Sequence, residues 1–472
     1  MAAATEADER TWLERTLGVV TEVRAGEGTT ALLLTLNLFV LMTSYYVLKP
    51  IRDTLIVNVE GGPEYKSYMG GAIAIALLVA VPVYARIAAR ARRERLLVGV
   101  TLFFATNLLL FMVVHASALA PSPDGRLVFA LVFFGWLGVF SMMIVAQAWA
   151  FANDLYTEPQ GKRLFALVGL GASLGSAVGS LILRDLIARL GVGALLGLSA
   201  GLLVTSAALI QLIHHREAGG RRDRAAHGAG KAPPLAADRP SAPPERGSFR
   251  LVLRHRYLRL IAAFSVVFTL VNTNGEYVLS RLVKHYADEL AAGGLGRLEV
   301  DARVGEFYGG FYLWVNVAGV LLQSLVVSRI LEKGGLRVAF FVLPAIAFVD
   351  ALGIALLPML VVARVGKILE NSVDYSLNNT VRNVLWLPTT TEMKYRAKQA
   401  IDSFFVRMGD VGSAVLVVLL GAQLGLGVRA FAITNLVLVG LWLWLGARIV
   451  RENAALVAAQ ERRGAELEAV AP

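Results

Sequence analysis

The amino-acid sequence predicts an all-α integral membrane fold of about twelve transmembrane helices in two six-helix halves. Three observations carry this. The 472 residues are 56% hydrophobic and 17% charged, with a mean hydropathy of +0.61; soluble domains run at roughly 45–50% apolar and about 25% charged. Apolar stretches of membrane length recur from end to end. Arginine and lysine gather in the short breaks between alternate stretches, so the net charge of +11 reads as a topology signal rather than a nucleic-acid footprint.

The first six spans are expected near residues 30–57, 68–88, 96–116, 127–151, 164–187 and 191–213. The other six are expected near 258–284, 306–328, 336–358, 361–385, 400–424 and 428–449. Each is long enough to cross about 30 Å of hydrocarbon at 1.5 Å per residue. The alternation of apolar and polar residues that a membrane barrel requires is absent. Ahead of the first span, acidic Glu6, Asp8 and Glu9 do not resemble a secretory signal. The stretch from Trp12 to Val23 reads as a short amphipathic helix at the membrane surface.

Orientation follows from the basic loops. The loop after span two carries Arg86, Arg90, Arg92, Arg93 and Arg95, and the loop after span four carries Lys162 and Arg163. Arg329, Lys333 and Arg337 follow span eight, and Lys394, Arg396 and Lys398 follow span ten. These even-numbered loops share one side, which the positive-inside rule makes cytoplasmic, together with both termini. The chain then divides into a cytoplasmic segment 1–29, a helical half 30–213, a linker 214–248, a second half 249–450 and a tail 451–472. The linker is rich in Ala, Gly, Pro and Arg without apolar periodicity, so it is expected to be a flexible cytoplasmic connection. Six spans, a linker and six spans is the layout of a major facilitator transporter. A weak repeat agrees with it: Gly175-Ser176-Ala177-Val178 in span five has a positional mate in Gly412-Ser413-Ala414-Val415 of span eleven.

Charged side chains inside apolar spans each cost roughly 2.5–3.5 kcal/mol at a helix centre, so they mark the candidate site. Span one holds Tyr45, Lys49 and Arg52 on one helical face, with Asp53 four residues from Lys49 and able to pair with it. Pro50 removes a backbone hydrogen bond there and predicts a kink. The net positive face suits an anion. Span seven offers Asn272, Asn274 and Glu276, then Arg281 and Lys284. Span ten is the most polar: Lys367, Glu370, Asn371, Asp374, Asn378 and Arg382 run along one ridge, which must face a hydrated cavity or neighbouring helices. Arg407 and Asp410 in span eleven read as a structural or gating pair. Gly171, Gly175 and Gly179 form a stripe of small residues for close helix packing.

Absences narrow the chemistry. There is no cysteine, no histidine cluster with metal spacing, no P-loop, no HExxH and no GxSxG. A primary ATP-driven pump and an enzyme are therefore not indicated. No metal or cofactor is expected. Transport must run by exchange, or on an ion gradient or the membrane potential.

The residues also resemble a known family. LKPIRDTLIV in span one resembles the Leu-Arg-x-x-Lys-Asp helix of the ATP/ADP carrier family of plastids and intracellular bacteria, with Lys49, Arg52 and Asp53 at its three charged positions. FANDLYTEPQGKR, which contains Asp154, resembles that family's Phe-Ala-Asn-Gln segment and the basic loop after it. Asn272 and Glu276 resemble a span-seven Asn-Leu-x-Glu motif, Asp374-Tyr375-Ser376-Leu377 resembles Lys-Tyr-Ser-Leu, and Lys398-Gln399-Ala400-Ile401-Asp402 resembles Lys-Ala-Ala-Ile-Asp. The matches span both halves in order. The resemblance implies a major-facilitator-like fold and exchange of adenine nucleotides. It makes Lys49, Arg52, Asp53, Glu276 and Lys398 candidate substrate contacts or gating charges. Asp374 stands where that family has a lysine, and the two span-one cations are exchanged in type, which implies a retuned substrate.

Together these readings predict a substrate site of Tyr45, Lys49, Arg52, Glu276, Lys367, Asn371, Asp374, Asn378 and Arg382. Asp53, Asp154, Lys398, Asp402, Arg407 and Asp410 are the expected charge pairs or gates. The expected partners are a small anionic solute and the bilayer of the cell membrane, with no nucleic acid, and the chain is expected to act as a monomer. Two rival readings stay open: transport of another organic anion, with Glu276 or Asp374 carrying a coupled proton, and a membrane protein that transports nothing.

Overall fold

A computed structural model describes residues 11–18, 21–88, 93–117, 122–226, 248–390 and 392–470. Every regular element among the described residues is helical. Eight described helices are long and apolar enough to cross a membrane. One of these, Arg163–Glu217, breaks at Gly191, whose φ of 72° lies in the left-handed region that only glycine visits cheaply, so it supplies spans five and six. Gly62–Ala88, Arg297–Leu325 and the interrupted helix over 360–384 complete the about twelve spans predicted.

Two compact units emerge. The first comprises Met1–Leu55, Leu77–Ser241 and Gly296–Leu313; the second comprises Ile56–Ala76, Ala242–Leu295 and Trp314–Pro472. They follow the two sequence halves with one exchange. The end of span one and the first turns of span two pack in the second unit, and the first half of span eight packs in the first.

In the first unit, span one (Gly28–Val57) runs through Pro50 without leaving the helix. The glycine stripe lies against it. A methyl group on Gly171, Gly175 or Gly179 would fall 2.5, 2.2 or 2.4 Å from the carbonyl oxygens of Thr35, Phe39 and Thr43. Lipid gives no hydrophobic reason for helices to associate, so backbone approach of this kind supplies the packing. Polar bonds add to it: Ser44 donates to the Ser199 carbonyl at 3.1 Å, and Ser206 donates to Asn37 Oδ1 at 2.7 Å. Spans three (Arg93–Ala116) and four (Pro123–Leu155) interlock through an aromatic ladder, with Phe104 edge-on to both Trp136 and Phe140. Span eight contributes Gly305 and Gly309, which press on Ile187 and Arg184 of span five.

A polar strap ties the N-terminal segment to this unit. Thr11 caps the helix Trp12–Leu17 reciprocally with Glu14, and the helix ends at Gly18, short of the predicted Val23. Glu14 is buried and also accepts from the backbone amides of Gly26 and Gly28. Burial alone would raise its carboxyl, but these donors and Thr11 hold it below the ordinary glutamate value. Glu27 meets Arg163 at 3.0 Å and Gln160 at 3.1 Å, from the loop after span four. Burial opposes ionisation there too, and the Arg163 bonds win, so its carboxyl is also held down.

In the second unit, span eleven repeats this close approach on span seven (Arg256–Ala292). A methyl on Gly409 would lie 2.7 Å from the Val266 carbonyl oxygen. Asn274 donates to Asn435 of span twelve at 2.6 Å, and Tyr257 donates to the Leu385 carbonyl at 2.8 Å. Span ten is not one continuous α-helix: Leu360–Val373 is followed by a π-helical turn over Asp374–Asn378 and then Asn379–Val384. A π turn over Met393–Ala397 precedes span eleven, which carries further π turns at Ile401–Phe405 and Val417–Gln423.

Several predicted boundaries differ. The helix of span six continues to Ala226, so residues 214–226 are helical, a charged extension with Arg216 and Glu217 that needs no lipid. A short helix, Ser248–Arg254, precedes span seven, and residues 227–247 of the predicted linker lie outside the described residues. Span twelve likewise extends to Val470 through the predicted tail.

Candidate functional site

The first unit presents a cation–aromatic cluster built on span one. Its face puts Tyr45, Lys49 and Arg52 in line, as the helical period requires. Asp53 is 0% exposed. Arg52 grips its Oδ1 through Nε and Nη2 at 3.0 and 2.8 Å, and the Tyr312 hydroxyl donates to Oδ2 at 2.6 Å. The Lys49 ammonium stands 4.3 Å from the centre of the Tyr312 ring and 5.3 Å from that of Tyr46. The Arg52 guanidinium lies 4.4 Å over Phe134. Tyr45 packs edge-on to Tyr46 at 5.2 Å. Arg52 thus holds the buried carboxylate and both cations face π rings, an arrangement that retains a net positive charge in the membrane.

The second unit holds a denser cluster around Lys367, which is 0% exposed. Its Nζ donates to Glu370 at 2.8 Å and to Asn272 Oδ1 at 2.9 Å, and lies 3.9 Å from Glu276. Glu276 in turn meets Lys66 of span two at 3.8 Å and accepts from Asn371 at 3.2 Å. Gly275 makes room, since a methyl there would sit 3.2 Å from the Lys367 ammonium. Within the π turn, Asn378 donates to Asp374 at 2.7 Å. A π turn widens the helix locally and often occurs at functional positions. Next to it, Glu64 at the start of span two accepts from Tyr277 at 2.9 Å and from Arg281 at 2.6 Å.

Span ten therefore brings Lys367, Asn371, Asp374 and Asn378 together with Glu276. Arg382, one turn beyond Asn378, pairs with Asp402 at 3.1 Å and lies over Phe268. Lys398 is beside it, donating to Asn383 at 2.8 Å. Arg407 and Asp410 pair at 3.0 Å, with Thr273 of span seven donating to the same carboxylate. Asp154 is in the helix of span four, and its side chain lies outside the described residues.

Four participants escaped the sequence reading. Tyr312 is an ordinary-looking aromatic in span eight, and Glu64 and Lys66 precede the predicted start of span two. The fourth, Asp350, did leave a signal: it is a lone acid in the apolar run of span nine. It is 7% exposed, and its carboxyl lies on the backbone of Gly366, where a methyl group would meet Oδ1 at 1.7 Å.

The described residues show no group of His, Asp or Glu able to hold a metal ion. What the two clusters can do is bind negative oxygens, because each cation is held by partners that an anion replaces.

The chain is similar to known proteins along most of its length. ADP,ATP carrier protein 1 of Chlamydia trachomatis serovar D is 24% identical over 91% of this chain and 90% of that protein. ADP,ATP carrier protein 1 of Rickettsia conorii is 21% identical over 80% and 83%. The crystal structure of the nucleoside transporter NupG superposes with a TM-score of 0.58 at 12% identity, covering 89% of this chain and 98% of that one, a likeness of fold. The family model described as Major Facilitator Superfamily matches residues 34–369. With that match, the helical architecture and the charged clusters, the chain belongs to the Major Facilitator Superfamily and is a membrane transporter.

Proposed function

We propose that the chain exchanges adenine nucleotides, ATP against ADP, across the cell membrane by alternating access. One observation carries the reading: Lys367 is fully buried and, among the described residues, held by Glu370, Glu276 and the side-chain and backbone carbonyls of Asn272, acceptors that phosphate oxygens can replace. Lys49 and Arg52 offer a second pair of cations, and Tyr45, Tyr46 and Tyr312 offer ring faces for a base. The relatives named ADP,ATP carrier support the choice of cargo.

Exchange, rather than free uniport, follows from the internal pairing. An unloaded carrier keeps its cations on its own carboxylates, so it resists reorientation with the site empty. Substrate breaks those pairs. The Glu64–Arg281 and Lys66–Glu276 contacts hold the start of span two on span seven. In the alternate state they separate, and Glu276 links that separation to Lys367. Both termini face the cytoplasm, and one chain suffices.

Purified protein in proteoliposomes tests this. Labelled ATP should enter liposomes loaded with ADP and stay out of empty ones. Replacing Lys49 and Arg52 together by alanine should slow entry by about 100-fold or more, at roughly 1.5–3 kcal/mol for each of the two charge-assisted contacts. Absence of counterflow for every nucleotide tried defeats the proposal.

A further inference from the structure

Several basic side chains at the ends of the spans are already engaged. Arg163 holds Glu27, Arg396 holds Glu392, and Lys398 donates to Asn383. The turn between spans eight and nine is different. Arg329, Lys333 and Arg337 are exposed there and make no ion pair or side-chain hydrogen bond among the described residues.

Two of these cations line a groove of about 400 Å³. Ligand pockets occupy roughly 300–1,000 Å³, so this one can hold part of a sizeable molecule. Arg329 and Lys333 are four residues apart and share one face of the helix that begins at Val327. The remaining lining is aliphatic, from Leu325, Val326, Ile330 and Val338, apart from the bare backbone of Gly334. No acid belongs to the lining, and the nearby Glu332 is exposed outside it.

The backbone builds this corner. The helix of span eight ends at Leu325, and the next helix breaks at Gly335, whose φ of 63° is left-handed. A short helical stretch between the two bends therefore carries both cations before span nine continues. Val338 takes the place of a side chain at Gly334, where a methyl would fall 2.7 Å from it. Leu325 and Val338 are nevertheless 52% and 53% exposed. Apolar surface left open beside unspent cations is a binding surface for something both oily and negative.

We propose that this groove binds an anionic phospholipid, with its phosphate on Arg329 and Lys333 and an acyl chain along Leu325, Ile330 and Val338. Three features select that occupant. Two positive charges with no acid beside them favour a net negative head over a zwitterionic one. Aliphatic walls would stay uncovered under a soluble phosphate. On the topology expected from the basic loops the turn is cytoplasmic, where the leaflet is the more negative one. Arg337, four residues past Lys333, adds to the local potential. The inference is independent of the cargo.

Native mass spectrometry of the full chain tests it, after delipidation in detergent and titration with phosphatidylglycerol or phosphatidylcholine. Wild type should bind one phosphatidylglycerol more tightly than phosphatidylcholine. Arg329→Gln with Lys333→Gln should raise the phosphatidylglycerol Kd about 25-fold, at about fivefold for each basic side chain near an anionic head. Val338→Trp should also remove the tight site, by filling the groove while both charges remain. Arg250→Gln with Arg254→Gln, on the short helix before span seven, should leave the Kd unchanged. Glycerol phosphate at the lipid's concentration should not displace it. Equal affinity of wild type for the two lipids overturns the proposal. So does an unchanged Kd in Arg329→Gln with Lys333→Gln or in Val338→Trp, an equal loss in the Arg250 and Arg254 control, or displacement by glycerol phosphate.

Discussion

Replacing Lys367 by methionine removes one buried cation and leaves its partners in place. The side chain is 0% exposed and its ammonium makes a 2.8 Å pair with Glu370, a 2.9 Å bond to Asn272 and a 3.9 Å approach to Glu276. Methionine fills a similar volume, so the cavity cost is small and the electrostatic cost dominates. Removing one partner of a buried pair costs about 3–5 kcal/mol, because the stranded charge is worse than no pair. At about 1.4 kcal/mol per tenfold, that is two to three and a half decades in the unfolding equilibrium. Adding Glu370→Gln discharges the stranded acid and should recover at least about half the loss. Unfolding in mixed micelles, followed by tryptophan fluorescence for wild type, both single variants and the double, measures the cycle. A cost under about 1 kcal/mol for Lys367→Met, or a double variant no more stable than that single, means the pair is hydrated. The picture of a desolvated cluster would then be abandoned.

Other outcomes are equally specific. Tyr312→Phe keeps the ring under Lys49 but strips one donor from fully buried Asp53, and should cost about 1–3 kcal/mol in the same unfolding assay. Gly366→Ala places a methyl 1.7 Å from Asp350 Oδ1 and should destabilise by about 1–3 kcal/mol or more, with Asp350→Ala in the same chain restoring most of it. The N-terminal strap should be acid-labile. Glu14 and Glu27 ionise more readily folded than unfolded, so their contribution is complete above the ordinary glutamate value of about 4.5 and disappears as pH falls below it through their folded-state values. Protection of the amides over residues 21–30, relative to their intrinsic exchange rates, should fall on that acid limb, and Glu27→Gln should lower it already at neutral pH. A strap equally protected at pH 7 and at pH 3 contradicts the assignment.

The fold was legible in the sequence because membrane helices announce themselves by length and hydropathy, before any tertiary contact is known. The glycine stripe in span five was equally readable: a period of four puts Gly171, Gly175 and Gly179 on one face, and that face meets span one. The Lys367–Asn371–Asp374–Asn378 ridge followed from the same period. What escaped depends on which helices touch. Nothing in span ten says that Gly366 faces an acid from span nine, or that Tyr312 reaches Asp53 across 259 positions of sequence. The pairing of Arg382 with Asp402 likewise depends on a neighbouring helix that the span-ten pattern does not contain. The π turn at Asp374–Asn378 has no sequence signature of its own, so the register of the last polar residues could be seen only in three dimensions.

The contact between spans one and five limits how the protein can move. With three successive turns of one helix seated against the carbonyls of the other, neither can slide or roll without steric collision. They behave as a single beam. Any stroke that carries Lys49 and Arg52 must also carry Arg184 and Ile187 at the far end of span five. The residues that press there, Gly305 and Gly309 of span eight, then become the joint at which such a stroke is transmitted or resisted. Bulk added at Gly309 would impede turnover without touching a single charged group.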